Sequence, residues 1–258
     1  MGDEGPRDVR RVSGARDRRS RVLRRHRGAR TMSGLRTFVR HNGLSLGFGG
    51  LFLLSLAGQA LSGMADFNDR QLAHGVDPVG LGSYLTSSSF AVDVAENWQS
   101  EYLQFFLYVF ATVWLVQRGS PESKPLSRIG TESDEDQLLG RHVQPGSPKW
   151  AKAGGWRTAV FARSLALVMG GIFLLSWLAQ SVAGVAAYNA EQLSDFGDPV
   201  SWPEYLVSSD FWNRTLQNWQ SEFLAIGSMA VLSVYLRQRG SPESKPVGAP
   251  HGVTDESG

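Results

Sequence analysis

No cysteine occurs among the 258 residues, which excludes a disulfide framework and a thiolate metal site and leaves the fold to packing or to a bilayer. The five histidines, His26, His41, His74, His142 and His251, stand singly, without the convergent ligands that zinc needs. No metal and no cofactor is therefore expected. Catalytic patterns are missing as well. Gly47-Phe48-Gly49-Gly50 lacks the lysine of a phosphate loop, and no Ser, His and Asp set shares a face, so the chain is not expected to be an enzyme. Asn213-Arg214-Thr215 fits a glycosylation sequon, a pattern short enough to arise by chance and without meaning in a bacterial cell.

Charge is missing from particular stretches, and the mean hydropathy of −0.19 hides this unevenness. Gly43 to Ala65 and Ser164 to Ala187 carry no charged residue, and as helices each covers roughly 34 Å, the thickness of a bilayer's hydrocarbon. Shorter apolar runs lie at Tyr102 to Gln117 and Phe223 to Leu236. Each borrows from the Trp-Gln-Ser-Glu segment before it to reach spanning length. A cleaved signal peptide competes for the first run, but the same pattern recurs at Ser164 to Ala187, where none can sit.

The recurrence is general. At an offset of 121, residues 36–125 align with 157–246 without a gap, and 42 of the 90 positions are identical. Asn97-Trp98-Gln99-Ser100-Glu101 returns at Asn218 to Glu222, and Arg118 to Pro125 returns as Arg239 to Pro246. So long a period reads as duplication of a whole unit rather than a solenoid. The predicted fold is an all-α membrane protein, with four transmembrane helices as two tandem parallel two-helix repeats in a pseudo-twofold bundle.

The boundaries follow. Residues 1–35 form a basic, disordered tail, 36–125 the first repeat with spans at about 43–65 and 98–117, and 126–156 a flexible cytoplasmic linker. The second repeat is 157–246, with spans at about 164–187 and 219–236, and 247–258 is a disordered tail. The first 40 residues hold 13 arginines and no lysine. That charge suits anionic lipid headgroups or nucleic acid, but a start of translation at Met32 is an equal alternative for the stretch before it, and no nucleic-acid partner is expected.

Lysine and arginine counts set the orientation. The segments before the first span, between Arg118 and Arg163, and after Leu236 carry 13, 8 and 3 basic residues. The other two loops, Asp66 to Asn97 and Tyr188 to Trp219, carry one each, Arg70 and Arg214, against five acids apiece. Both termini and the central loop are placed inside, in a bacterial cytoplasmic membrane. Parallel repeats of this kind are related by an axis along the membrane normal.

Local signals refine the outline. Ser201-Trp202-Pro203-Glu204 is a capping box opening a short outer helix, and Ser89 and Asp210 are expected N-caps of the second helix in each repeat. Gly119-Ser120-Pro121 is a helix stop. It leaves the return of Glu122 to Pro125 at Glu243 to Pro246 unexplained: either the duplication is recent, or both inner faces touch the same kind of partner.

Four polar residues make the sharpest constellation. Gln59, Glu101, Gln180 and Glu222 all fall about 25 to 28 Å above the inner arginines of their helices, just inside the outer boundary. An ionisable group at that depth is a candidate site unless paired or wet; the alternative is an interhelical hydrogen bond worth about 0.6 to 2 kcal/mol. The shared depth predicts antiparallel hairpins with Gln59 near Glu101 and Gln180 near Glu222. Trp98 and Trp219 above this layer, with Trp114 and Tyr235 near the inner end, fit interfacial aromatic belts.

The runs Asn97 to Phe106, Arg118 to Ser123 and Asn42 to Leu46 resemble a bacterial family of small multi-spanning membrane proteins known only as a domain of unknown function. The likeness covers roughly Met32 to Pro246 and implies a bacterial membrane location, with no activity or ligand to carry over. Two functions are expected. The first is a non-enzymatic scaffold or assembly protein, partnered by the bilayer, by a homo-oligomer and by an unknown protein at the cytoplasmic face. The alternative is a small-solute or ion carrier or channel using the Gln and Glu layer.

Overall fold

The computed structural model describes residues 34–254, whose regular elements are helices with no strand among them. The basic run and most of the 1–35 tail lie outside the described residues, as do 255–258. Two compact units divide the chain, Met1–Asp66 and Phe67–Gly258. In the first, residues 34–41 are helical, and Asn42 breaks the run with its side-chain amide on the Phe38 carbonyl at 2.8 Å. Helix α1, Gly43–Ala73, then begins, and this unit takes it as far as Asp66.

The second unit holds the short α2, Leu81–Leu85, and the long α3, Ser88–Ala111. Single turns at Leu126–Arg128 and Gly140–His142 and two short helices, α4 at Lys149–Ala153 and α5 at Gly155–Phe161, lead to α6, Ser164–Ser194. A short α7, Trp202–Leu206, precedes α8, Ser209–Tyr235. Helix α3 packs along α6 and also meets α8. Numbers rise along α6 from Phe173 to Gln180 while their partners on α8 fall from Trp219 to Thr215, so these two helices run antiparallel.

Among the described residues, only α1 and α6 are long and apolar enough to be candidate membrane spans. At 31 residues each they cover roughly 46 Å, well past a hydrocarbon layer of about 30 Å. The expected ends at 65 and 187 are overrun by about two turns, and the extension has a use. Asn68 bonds the Val79 amide at 2.8 Å and its carbonyl at 3.0 Å. Asn189 holds Val200 through the same two bonds at 2.8 and 2.9 Å. Each clamp folds an Asp-Pro-Val segment back on its helix.

Beside each clamp sits a buried tyrosine. Tyr84 packs between Phe67 and Phe90, and Tyr205 between Tyr188 and Phe211. The N-caps of α3 and α8 are Ser87 and Ser208, whose hydroxyls accept from Phe90 and Phe211 at 3.2 Å, two residues earlier than Ser89 and Asp210. In runs of consecutive capping residues, the one used is the one that brings the phenylalanine under the tyrosine. The capping box of α7 forms as expected, with Ser201 N–H donating to Glu204 at 2.7 Å.

Two expected boundaries are corrected. Helix α3 stops at Ala111, not Gln117, because Val113 gives its carbonyl to Gly130 and Gln117 gives its amide to Ser123 Oγ. The C-terminal tail is not loose over 247–254: buried Lys245 donates to the carbonyls of Pro250, His251 and Val253 at 3.3, 2.8 and 3.2 Å. The 126–156 linker carries local structure of its own, beginning with Lys124 on the Gly130 carbonyl at 3.0 Å and on Glu132 at 2.6 Å.

Candidate functional site

Polar side chains fill the place where α3, α6 and α8 meet. Gln99 and Gln180 are both wholly buried. Trp219 on α8 donates its indole N–H to Gln99 Oε1 at 2.8 Å. One turn away, Gln180 donates to the buried Thr215 hydroxyl at 3.4 Å. The rings of Trp177 and Trp219 lie 5.7 Å apart between these two bonds, with Phe173 and Phe211 against Trp177. Three buried polar atoms of this cluster have no protein partner: Gln99 Nε2, Gln180 Oε1 and Trp177 Nε1.

This node revises the expected polar layer. Gln180 belongs to it, but its partner is Thr215, seven residues and about 10 Å along the helix from Glu222. Glu222 lies instead beside Ser100 and Glu101 of α3, so the two glutamates do share a level. Glu101 is exposed and Glu222 half-buried. Gln59 is half-buried on α1, in the first unit. Trp98, Trp114 and Tyr235 are exposed. Trp219 faces the interior, because its N–H has Gln99 to bond. Gln99 was missed; its only signal was its place inside the recurring Asn-Trp-Gln-Ser-Glu block, where the glutamate drew attention.

Toward the N-terminal ends of α3 and α8, Arg214 on α8 reaches Glu96 at 3.0 Å and Asp93 at 3.8 Å on α3, and Asp210 at 3.5 Å on its own helix. Burial pushes the Glu96 carboxyl above its ordinary range against the pull of Arg214. The Tyr205 hydroxyl donates to Asp210 at 3.0 Å. Burial, then the Asp210 charge, raises its pKa. One cation therefore ties three carboxylates across two helices.

After α3 and after α8 the recurring motif takes one shape twice. Gln117 N–H bonds Ser123 Oγ at 2.8 Å, and Gln238 N–H bonds Ser244 Oγ at 2.9 Å. Gly119 and Gly240 turn the chain at φ of 88° and 82°, a region glycine enters without a Cβ clash. The tail crosses to the first loop, where Thr254 Oγ1 accepts the Gly119 N–H at 2.9 Å. Tyr108 donates to Glu122, whose carboxyl also meets Glu243, its counterpart in the second copy. Burial, with Glu243 beside it, raises the Glu122 pKa against the Tyr108 bond. A cavity of 420 Å³ is lined by Arg239, Gly240, Lys245, Pro246 and Val247. Among the described residues no three His, Asp or Glu side chains group as metal ligands.

The model of a family described as a domain of unknown function, DUF6766, matches residues 35–256. The chain belongs to this family. Its match runs through the Lys245 clasp into the C-terminal tail. No curated protein and no solved structure matches the chain.

Proposed function

We propose that the chain is a multi-pass protein of the bacterial cytoplasmic membrane, with both termini inside, that works as a non-enzymatic scaffold through its helix faces and its inner loops. One observation carries this reading: the polarity of α6 is inverted. Leu174, Leu175, Leu178 and Val182 face outward while Ser176, Gln180 and Ser181 are buried. Lipid as the surrounding solvent accounts for that pattern, since polar groups in a bilayer find partners between helices. In this reading α3 and α8 also cross the bilayer and complete two parallel two-helix repeats.

Topology reporters test it. Fusions after Gln117 and after Leu236 should both report cytoplasmic, and fusions within Asp66 to Asn97 external, with the chain resisting alkaline extraction. An external signal after Gln117 removes the four-span arrangement. Loss of every stable partner and of self-association in solubilised membranes removes the scaffold.

The second reading, a carrier or channel for a small polar solute, is favoured by the three buried unpartnered atoms at Gln99, Gln180 and Trp177. Uptake into vesicles that disappears in Gln180→Leu but survives in Glu101→Gln would support it over the scaffold.

A further inference from the structure

Within the unit Phe67–Gly258, three residues meet their own counterparts at the offset of 121. His74 stands 3.4 Å from Asp195, Glu222 lies beside Glu101, and the Glu122 carboxyl bonds that of Glu243. Residues that touch their own copies lie where a twofold axis relates two equal halves, because such an interface sets each position against itself. Like then faces like unless the copies differ. At the first pair they differ, and a histidine faces an aspartate. At the third both copies hold glutamate, so two carboxyl groups share one contact.

Two ionised carboxylates only accept hydrogen bonds, and one of them must carry a proton before they can bond each other. The charged groups of the segments around the pair are engaged elsewhere. Lys124 reaches Glu132 and the Gly130 carbonyl, and Lys245 holds the carbonyls of Pro250, His251 and Val253. Arg237 holds the Ala249 carbonyl and His251 the Val234 carbonyl. Arg118 lies against Gly252, and Arg239 lines the cavity. From α3, Tyr108 donates its hydroxyl to Glu122 but brings no positive charge. Burial, Tyr108 and Glu243 are what act on the Glu122 carboxyl.

We propose that Glu122 and Glu243 form a proton-dependent latch between the segments that follow α3 and α8: one shared proton holds the two copies of the motif together, and its loss drives them apart. The Glu122 carboxyl stands above its ordinary value of 4.5 in the fold, through burial first. The folded chain then holds the proton more tightly than the unfolded one, so the latch is closed below the ordinary value and opens as pH climbs through the raised one. Opening loosens the bonds beside the same contact. These are the Ser120 and Ser233 hydroxyls, 3.4 Å apart, and the Gly119 N–H on Thr254 Oγ1 at 2.9 Å. In the topology proposed above, the latch responds to cytoplasmic pH; the contact itself does not depend on that topology.

The test is hydrogen exchange of the full chain in lipid nanodiscs from pH 5 to pH 8, read as protection factors so that the intrinsic rise of exchange with pH drops out. A chelator in every sample keeps a bridging metal ion from standing in for the proton. In wild type, protection over 117–124 and 238–246 should fall as pH rises, by about tenfold for each unit by which the Glu122 carboxyl is raised. Glu122→Gln keeps the shape of the pair and supplies a fixed N–H in place of the proton, so its protection should stay level. Glu243→Gln should do the same, which keeps the test open if one variant fails to fold. Protection that is level in wild type, or that falls as steeply in a folded variant, overturns the latch. Carboxyl carbon resonances give a second readout: the Glu122 titration should move to lower pH in Glu243→Gln, and a titration that does not move also overturns it.

Discussion

Trp219 gives its indole N–H to Gln99 on another helix at 2.8 Å, and the Gln99 side chain that receives it is wholly buried. Gln99→Leu should therefore cost about 1 to 3 kcal/mol, the penalty for leaving a buried donor unsatisfied. Trp219→Phe should cost a similar amount, with the Gln99 carbonyl orphaned in turn. The double variant should fall short of the sum by about 0.5 to 3 kcal/mol, as residues sharing a bond do. Thermal melting of the four proteins in detergent measures the cycle; strict additivity would show that the bond is not formed.

Gly184 and Gly171 lie on the same helix and should respond in opposite senses to alanine. A Cβ at Gly184 would stand 2.9 Å from Tyr205 Cε1, against a wholly buried ring, whereas at Gly171 it meets nothing within 4 Å. Overpacking makes Gly184→Ala destabilising by about 1 to 3 kcal/mol. Gly171→Ala should be neutral or stabilising by up to about 1 kcal/mol through helix propensity. Equal melting temperatures for the two variants would contradict the packing of α6 on α7.

The contrast between these sites shows what was legible in the sequence. Charge-free runs and the 121 offset mark α1, α6 and the correspondence of the two copies, because both are properties of the chain itself. Which polar residue turns inward is not such a property. Gln99 and Gln220 are identical in type and in neighbours, yet one is wholly buried and the other exposed; only the packing of α3 on α6 separates them. Glutamate drew attention in the same block because a charge in a bilayer is costly, while the amide two residues before it took the interior. The order of the C-terminal tail is illegible for a related reason. Its Gly, Pro and Ser content reads as loose, but one lysine binding three carbonyls fixes it.

That lysine gives a prediction with an internal control. Lys245 is buried and holds three carbonyls, whereas Lys124, its counterpart, is more exposed and shares its charge with Glu132. Lys245→Met should free residues 247–254, raising amide exchange there and opening a protease site. Lys124→Met should act only on 126–132 and more weakly, since an exposed ion pair is worth about 0 to 1 kcal/mol. Hydrogen exchange followed by peptide mass analysis reads both at once, and unchanged exchange over 247–254 would dismiss the clasp.

The Arg214 network predicts how stability moves with pH. Glu96 has its carboxyl pKa raised in the fold, burial outweighing Arg214. For an acid raised above its unfolded value, the native state binds the proton more tightly. Its contribution is thus full below the ordinary value of 4.5 and is lost as pH climbs through the raised one. Asp93 and Asp210 add repulsion at Glu96 once all three are charged. Glu96→Gln should therefore melt no lower than wild type at pH 7 and lose part of the gain that wild type shows between pH 7 and 5. Arg214→Met should do the reverse, melting lower at pH 7 and gaining more on acidification, because three carboxylates then face one another without their cation. Melting curves of the three proteins at pH 5, 6 and 7 decide it, and parallel profiles would mean that Glu96 does not sense Arg214.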